Sequence, residues 1–361
     1  MFHVKPIFLS MFGSCRPVGL KLLRKLASAA TAPNDRGASR DGSWLRCHLK
    51  QLKLARNAIL LPFATSLVSS AVFAVTAEKV AFLSLEEFNP TKLDGYLFKP
   101  TNRIKSADGA PAIVLAHGCS GMIDNKGEMR AGIAHWATRF TEKGFVVLAV
   151  DSFNPRGHNE VCTQSSRPIL ESRERPRDAY GALKYLSEQP FVDKNRVFLM
   201  GFSNGATGTL YAIEANGKPH KLANEAKIAF RAAMAFYPGC NNPNKNRLKP
   251  AIPLAIFIGA DDDWTPAQPC KELIDLNKAR GLDVAYFDYP GAYHGFDAPG
   301  STVRVRKDVR MSNRPGLADG VHVGGNDDAR RAAEKDVDTY LRPFLESQTT
   351  GDVKTTLAPK P

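Results

Sequence analysis

The chain has 361 residues, 43% hydrophobic and 24% charged, which is a globular composition and enough length for one large α/β domain with extensions. Its net charge of +13 is concentrated in residues 1–77, which hold 11 Lys/Arg against two acidic residues, whereas the remainder carries only +4. A nucleic-acid-binding protein would carry a basic stripe on its folded domain. The charge distribution therefore argues against nucleic acid as a partner.

The first 77 residues have the pattern of an export leader. A basic flank at 50–56 precedes an uncharged h-region at about 58–77, which ends in small residues suited to signal peptidase near Ala74 or Ala77. We therefore predict a periplasmic or secreted protein with no stable membrane association after signal removal. About 20 apolar residues can also span a bilayer, so a membrane anchor formed by an uncleaved signal is the alternative.

Residues 78–347 form the predicted domain, in which strand-like and helix-like segments alternate. This alternation predicts an α/β fold with a mostly parallel sheet covered by helices on both faces. The predicted strands lie at 111–118, 144–151, 196–200, 230–239, 253–263 and 284–295. The predicted helices lie at 127–143, 175–190, from the end of the third strand to about 216, and at 327–346. The roughly 30 residues between His294 and the last helix are predicted to be an extended loop, and the tail 348–361 to be disordered.

Four cysteines lie beyond the leader, namely Cys119, Cys162, Cys240 and Cys270. An exported domain permits disulfides, and four cysteines allow three pairings. Cys240 and Cys270 each follow an apolar run expected to be one of two neighbouring parallel strands, which favours that pair. Four free thiols are the alternative. No cysteine or histidine spacing is typical of zinc, so we expect no metal.

The segment "GFSNG" (201–205) lies between a strand-like run and a helix-like run. A G-x-S-x-G in this position is typical of a nucleophile elbow, where the serine adopts a strained conformation that raises its hydroxyl above the sheet. Glycine is needed on both sides because a Cβ there would clash with the neighbouring strand and helix. Ser203 is therefore the candidate nucleophile, with a polar tight turn as the alternative.

Candidate acid and base residues follow later strands. "GADDDWTP" (259–266) offers Asp261, Asp262 and Asp263, which spacing alone does not separate, and each could instead be a turn or N-cap residue. His294 follows the last predicted strand. It completes the order Ser, Asp, His that the topology of this fold requires.

The loop "HGCSG" (117–121) is the candidate for an oxyanion hole. Acyl transfer needs two backbone N–H groups aimed at the developing oxyanion. One comes from the residue after the nucleophile, Asn204, and the other most simply from Cys119. The rival interpretation makes the Cys119 thiol a nucleophile, but this cysteine has no elbow.

Two charged segments are interpreted as structural. Asp151, Arg156 and His158 in "DSFNPRGHNE" are expected to form loop-anchoring ion pairs and caps rather than to line a substrate cleft. "RERPRD" (173–178) is expected to be a helix N-terminus with solvated charges rather than a carboxylate-binding site.

Residues 80–346 resemble the dienelactone hydrolase family of the α/β-hydrolase superfamily, and the chain is most similar to its exported, serine-bearing branch. The motifs that carry the resemblance are "AHGCSGM", "VLAVDSFNPRG", "RPRDAYGALKYL", "VFLMGFSNGA", "GADDDWTPAQ" and "YPGAYHGFD". The resemblance places the nucleophile on Ser203 and the base on His294. It places the acid on Asp262, three residues after a strand-ending glycine and four before a proline.

Two positions depart from the family pattern. The best-known members use a cysteine nucleophile where this chain has Ser203, and they carry a carboxylate-binding arginine where it has Ala298. Both departures leave hydrolase chemistry intact and bring dienelactone itself into question as the substrate.

The sequence thus predicts a serine hydrolase that cleaves a small-molecule ester or lactone through an acyl-enzyme, without a cofactor and with no predicted oligomeric state. Amide or peptide hydrolysis on the same three residues and a non-catalytic binding protein are the alternatives.

Overall fold

The computed structural model describes residues 77–100, 109–164, 166–309 and 320–346. The predicted leader up to Thr76 and the predicted tail lie outside these ranges. Among the helices inside them, none combines the length and apolar character needed to cross a bilayer.

The described residues contain ten strands, seven α-helices and one 3-10 helix at Asn154–Arg156. The strands are β1 (Glu78–Leu83), β2 (Lys92–Phe98), β3 (Ala110–Ala116), β4 (Val146–Asp151), β5 (Val192–Phe202), β6 (Ala233–Phe236), β7 (Leu254–Gly259), β8 (Val284–Tyr289), β9 (Arg304–Arg306) and β10 (Val321–Val323). The helices are α1 (Ala131–Glu142), α2 (Glu174–Ser187), α3 (Asn204–Ala212), α4 (Lys218–Glu225), α5 (Asn241–Lys245), α6 (Ala267–Ala279) and α7 (Asp327–Glu346).

Eight of these strands form one sheet in the order β1-β2-β4-β3-β5-β6-β7-β8. The six strands from β4 to β8 along this order run parallel, whereas β1 and β2 form an antiparallel hairpin that pairs antiparallel with β4. Every residue of β4, β6 and β7 is buried, as expected where helices cover both faces of a parallel sheet. The predicted α/β-hydrolase fold is confirmed.

The covering helices bury faces whose apolar residues recur three or four positions apart. In α1 these are Ile133, Trp136 and Phe140, and the Trp136 indole packs against the Phe236 ring of β6 at 5.2 Å. In α7 the buried face includes Val337 and Leu341. These contacts hold the helices on the strands whose ends carry the candidate site.

The segment after His294 differs from the prediction. Instead of one extended loop, its described parts contain the antiparallel pair β9–β10, with Val321 opposite Arg306 and Val323 opposite Arg304. We call residues 301–309 together with 320–325 the strap. Each strand has only three residues, too few to show a period of two in the sequence. The strap is attached beside His294, because the Gly324 N–H donates to the His294 carbonyl at 3.0 Å.

Two disulfides are present among the described residues. Cys240–Cys270 is the pair that the sequence favours, and Cys119–Cys162 joins the other two cysteines. The alternative of four free thiols is therefore wrong. The alternative of a Cys119 thiol nucleophile is also wrong, because its sulfur is already bonded.

Candidate active site

Ser203 lies at the junction between β5 and α3. Its backbone has φ 51° and ψ −115°, a conformation that an L-residue adopts only under strain. The Ser203 N–H donates to the Phe236 carbonyl of the adjacent strand at 2.9 Å. This sharp turn is the geometry of a nucleophile elbow.

The glycines on either side of Ser203 are required by close backbone contacts. A Cβ on Gly205 would lie 2.2 Å from the Ala116 carbonyl oxygen, and one on Gly201 would lie 2.4 Å from the Gly205 carbonyl oxygen. Both distances are far below van der Waals contact. The elbow therefore packs against β3 in a way that only glycine permits.

His294 and Asp262 form a hydrogen-bonded chain with Ser203. Nε2 of His294 lies 2.8 Å from the Ser203 Oγ, and Nδ1 lies 2.8 Å from the Asp262 Oδ2. The His294 side chain is 5% exposed and the Asp262 side chain is fully buried. The three residues follow β5, β7 and β8, so the chain is assembled at the carboxyl edge of the parallel strands, where ligands bind in such sheets.

The structure distinguishes the three consecutive aspartates. Asp262 is buried, and its Oδ1 accepts the backbone N–H groups of Trp264 at 3.0 Å and Thr265 at 2.8 Å. The Asp261 residue is exposed, and the Asp263 carboxylate instead binds His322 of the strap, with Oδ2 2.7 Å from Nδ1. Asp262 is thus the aspartate of the three that reaches His294.

The His294 imidazole is surrounded by three residues that the sequence analysis did not single out, namely Thr265, Tyr237 and Trp264. The Thr265 Oγ1 lies 3.0 Å from both the Asp262 Oδ2 and the His294 Nδ1. The rings of Tyr237 and Trp264 pack against the imidazole at 4.7 Å and 4.6 Å. The signal available in the sequence is that Trp264 and Thr265 directly follow the aspartates.

Tyr237 is itself held by a buried carboxylate. Its backbone has a φ of 41°, which is rare for a bulky side chain, and its hydroxyl donates to the Asp297 Oδ1 at 2.6 Å. The Trp136 indole donates to the other oxygen of Asp297 at 2.8 Å. Burial raises the pKa of the Asp297 carboxyl, which the two donors oppose, and burial also raises the pKa of the Tyr237 hydroxyl. This network fixes the Tyr237 ring against the His294 imidazole.

The candidate oxyanion residues lie beside Ser203. Gly118 approaches it closely, since a Cβ on Gly118 would lie 3.4 Å from the Ser203 Cβ. Cys119 and Asn204 line a cavity together with Ser203, and among the described residues neither backbone N–H has an acceptor. Both amides are therefore available to an oxygen atom bound at Ser203.

A buried polar network supports the candidate oxyanion loop, residues 117–121, from behind. His117 donates from Nδ1 to the Gly118 carbonyl at 2.7 Å, and its Nε2 accepts from the Arg175 guanidinium at 3.1 Å and from the Ser152 N–H at 3.2 Å. Arg175 also donates to the His117 carbonyl. Burial first, and Arg175 second, hold the pKa of the His117 imidazole well below its usual range.

The prediction of solvated charges in 173–178 is wrong for two residues. Arg175 and Asp178 are buried on the inner face of α2, whose N-terminal turn packs behind the oxyanion loop. The Arg156 guanidinium pairs with both oxygens of Asp178, at 2.9 Å and 2.8 Å.

Asp151 accepts the N–H groups of Phe153 and Asn154, both at 3.0 Å. The structural interpretation of Asp151 and Arg156 is therefore confirmed.

The model of the dienelactone hydrolase family matches residues 93–318. This chain belongs to that family. As a family member it is a carboxylic ester hydrolase, as the sequence predicts.

Known proteins show more distant similarities to this dienelactone hydrolase family member. A quorum-quenching protein, AidA, of Acinetobacter baumannii is 30% identical over 128 residues, which are 36% of this chain and 37% of that protein. A probable 2-oxo-3-(5-oxofuran-2-ylidene)propanoate lactonase of a Bradyrhizobium species is 24% identical over 217 residues, 56% of this chain and 77% of that protein. The structure of esterase 2 of Thermogutta terrifontis has a TM-score of 0.50 and 19% identity, covering 80% of this chain and 97% of its own. At that identity, the structural similarity shows the fold alone.

Two cavities of different chemistry meet at Ser203 in this family member. The larger, of about 440 Å³, is lined mainly by amide and hydroxyl side chains, including Gln164, Thr207 and Asn241, and we call it the amide cavity. The smaller, of about 200 Å³, is lined by His294 and by Arg130, Arg304 and Arg306, and we call it the arginine cavity.

The arginine cavity is positively charged. None of the described residues that line it is acidic. Arg130 donates from Nε to the Ser120 carbonyl at 2.8 Å, and Arg306 pairs with the exposed Asp308 at 2.7 Å. Arg306 also lies over the Trp264 ring at 5.6 Å, which places the strap against the surroundings of His294. Ala298, at the position of the family's carboxylate-binding arginine, lines the same cavity.

Proposed function

We propose that this protein hydrolyses small-molecule carboxylic esters or lactones with Ser203 as the nucleophile. The observation that carries the proposal is the continuous chain from Asp262 through His294 to Ser203, with both hydrogen-bond distances at 2.8 Å. The Ser203 oxygen attacks the carbonyl carbon while the His294 Nε2 takes the hydroxyl proton. The protonated imidazole then gives this proton to the departing alkoxide, which leaves an ester on Ser203. Water releases the acid by the same steps in reverse order.

In this mechanism Asp262 holds the imidazole in the tautomer that leaves Nε2 free to accept a proton, and it stabilises the imidazolium. The amides of Cys119 and Asn204 bind the oxyanion of the tetrahedral intermediate. A donor of this kind contributes about 3–4 kcal/mol to the transition state. The elbow at Ser203 positions the attacking oxygen between these amides and His294.

The arginine cavity supports a substrate with a carboxylate near the scissile bond. A carboxylate in the cavity would face the guanidinium groups of Arg130 and Arg304, neither of which forms an ion pair within 4.0 Å with a described residue. Charge-assisted hydrogen bonds of this kind are about twice as strong as neutral ones. The name of the Bradyrhizobium relative also describes a lactonase whose substrate carries a propanoate group.

An exported location is part of the same proposal. The two disulfides support it, because such bonds persist in oxidising compartments such as the periplasm or the extracellular space. Cleavage of the leader after Ala74 or Ala77 would leave the mature hydrolase free of the membrane. Mass analysis of the N-terminal peptide of the exported protein tests this, and an intact leader in the mature chain would contradict it.

The decisive experiment replaces Ser203 by alanine. We expect turnover of p-nitrophenyl acetate to fall by about 10⁶-fold, because the nucleophile and the acyl-enzyme are lost together. A fluorophosphonate probe is expected to label the native chain and not the variant. Ser172→Ala is the matched control, since this exposed serine lines the amide cavity without contacting His294. Near-normal turnover in the Ser203 variant would refute the proposal.

A further inference from the structure

The Cys119–Cys162 disulfide lies within the candidate oxyanion hole. Cys119 lines both cavities beside Ser203, and Cys162 is fully buried in the segment that follows β4. Two further contacts join the segments on either side of this disulfide. The Val161 N–H donates to the Cys119 carbonyl at 2.8 Å, and the Ser120 Oγ lies 3.3 Å from the Cys162 Sγ.

The direction of the Cys119 N–H depends on the peptide plane that it shares with the Gly118 carbonyl. In a trans peptide these two groups point in opposite directions. The Gly118 carbonyl accepts from the Nδ1 of the fully buried His117 at 2.7 Å and from the Gly121 N–H at 3.2 Å, so it faces the His117 imidazole. The two bonds set the tilt of the plane.

Those bonds do not fix where residue 119 lies. The loop 117–121 contains two glycines and a serine, which provide little packing of their own. Arg130 holds the neighbouring Ser120 carbonyl at 2.8 Å, whereas residue 119 itself is bonded through its disulfide and through its carbonyl to the Val161 N–H. Both lead to the segment 161–162, so the loop and this segment form one unit around the amide.

We infer that the Cys119–Cys162 disulfide is a positioning element of the oxyanion hole, holding the Cys119 amide at the distance from Ser203 that the tetrahedral intermediate requires. This inference rests on the proposed function. An oxyanion donor stabilises the transition state more than the bound substrate, so its displacement lowers kcat more than it changes KM. A misplacement of about 1 Å can cost on the order of 10²-fold in rate.

The second disulfide provides a matched control. Cys240–Cys270 closes a chain separation of 30 residues and Cys119–Cys162 one of 43, so their entropic contributions to stability are similar. Cys240 also lines the amide cavity, but it carries no candidate oxyanion donor. Removal of either bond therefore tests stability, and removal of Cys119–Cys162 alone tests positioning.

The experiment compares Cys119→Ala/Cys162→Ala with Cys240→Ala/Cys270→Ala at a temperature where circular dichroism shows both to be folded. For p-nitrophenyl acetate we expect kcat to fall about 10- to 100-fold in the first variant and to stay within about threefold in the second, with KM little changed in both. A trifluoromethyl ketone, whose adduct with Ser203 places an oxyanion in the hole, is expected to bind more weakly to the first variant by the same factor.

Equal kcat values and equal ketone affinities in the two folded variants would overturn the inference. If the first variant does not fold, Cys240→Ala/Cys270→Ala, in which Cys119–Cys162 is the disulfide left among the described residues, is treated with dithiothreitol. A reversible loss of kcat with a native spectrum supports positioning, whereas unchanged kcat or unfolding on reduction overturns it. Failure of the proposed function is distinguishable, because the native chain itself would then lack Ser203-dependent turnover.

Discussion

The residues proposed for catalysis and the strap arginines proposed to bind a substrate carboxylate lie in two different parts of the molecule. Ser203, Asp262 and His294 follow strands of six to eleven residues in the parallel sheet, and each is fixed by backbone bonds or close packing. Arg304 and Arg306 lie on a three-residue strand of the strap, whose described bonds to the domain include those at His294 and Asp263. The sheet therefore determines the geometry of the chemistry, and a small attached segment supplies two of the three arginines of the arginine cavity, the third being Arg130 before α1. The two contributions can be separated by mutation.

The largest expected effect concerns the sheet-borne part. In Asp262→Asn the amide cannot stabilise an imidazolium, and it can hold His294 in the tautomer whose Nε2 carries the proton. We expect kcat to fall on the order of 10⁴-fold for neutral and anionic esters alike. Steady-state kinetics check this, with the exposed Asp261→Asn as control, expected to change kcat by no more than about twofold. A loss confined to anionic esters would contradict the division between the two parts.

A smaller and selective effect is expected from the strap. In Arg304→Gln/Arg306→Gln we expect kcat/KM for 4-nitrophenyl hydrogen glutarate to fall about 10- to 100-fold, because charge-assisted hydrogen bonds to its carboxylate are lost. The neutral 4-nitrophenyl pentanoate, with an acyl chain of equal length, should be nearly unaffected. Lys307→Gln removes one positive charge from the strap at an exposed residue outside the cavity lining, and serves as control for each arginine. Equal losses on both esters would refute a carboxylate subsite.

The same division explains what the sequence could and could not predict. The parallel strands could be recognised because each is a continuous apolar run that ends in turn residues. The nucleophile elbow could be recognised because Gly201 and Gly205 lie where a close backbone contact allows no other residue. Asp262 was separated from its neighbours by family resemblance and not by spacing. The local pattern of three aspartates does not show which one faces the imidazole.

The missed features depend on contacts between segments distant along the chain. The strands of the strap are too short to show an alternating pattern in the sequence. Its arginines cannot be distinguished in the sequence from ordinary exposed charges, and the fold places them with Arg130 in the lining of one cavity. The Cys119–Cys162 bond joins two loops rather than two predicted strands, so no strand pairing pointed to it. The buried Arg175 lies in a run of charges that is typical of a solvated helix start, and its burial is explained by its bonds to the Nε2 and the carbonyl of His117.

The smallest effect is a pH dependence of stability that belongs to the sheet-borne part alone. Burial and Arg175 lower the pKa of the His117 imidazole well below 6.5, so the folded protein keeps it neutral while the unfolded chain takes up a proton below that pH. Stability from this residue is therefore present above pH 6.5 and is lost as the pH falls. Between pH 7.5 and 5.5 the free energy of unfolding should drop by about 1 kcal/mol more in the native protein than in His117→Gln.

Urea unfolding at the two pH values measures this difference. Burial raises the pKa values of Asp178 and Asp297, which favours the folded state as the pH falls, but both residues are present in both proteins and their effect cancels in the comparison. The glutamine oxygen can still accept from Arg175 and Ser152, so the oxyanion loop keeps its support. Parallel pH dependences in the two proteins would mean that His117 is protonated in the fold. Its Nε2 would then carry a proton that faces two donors, which is the arrangement the structure excludes.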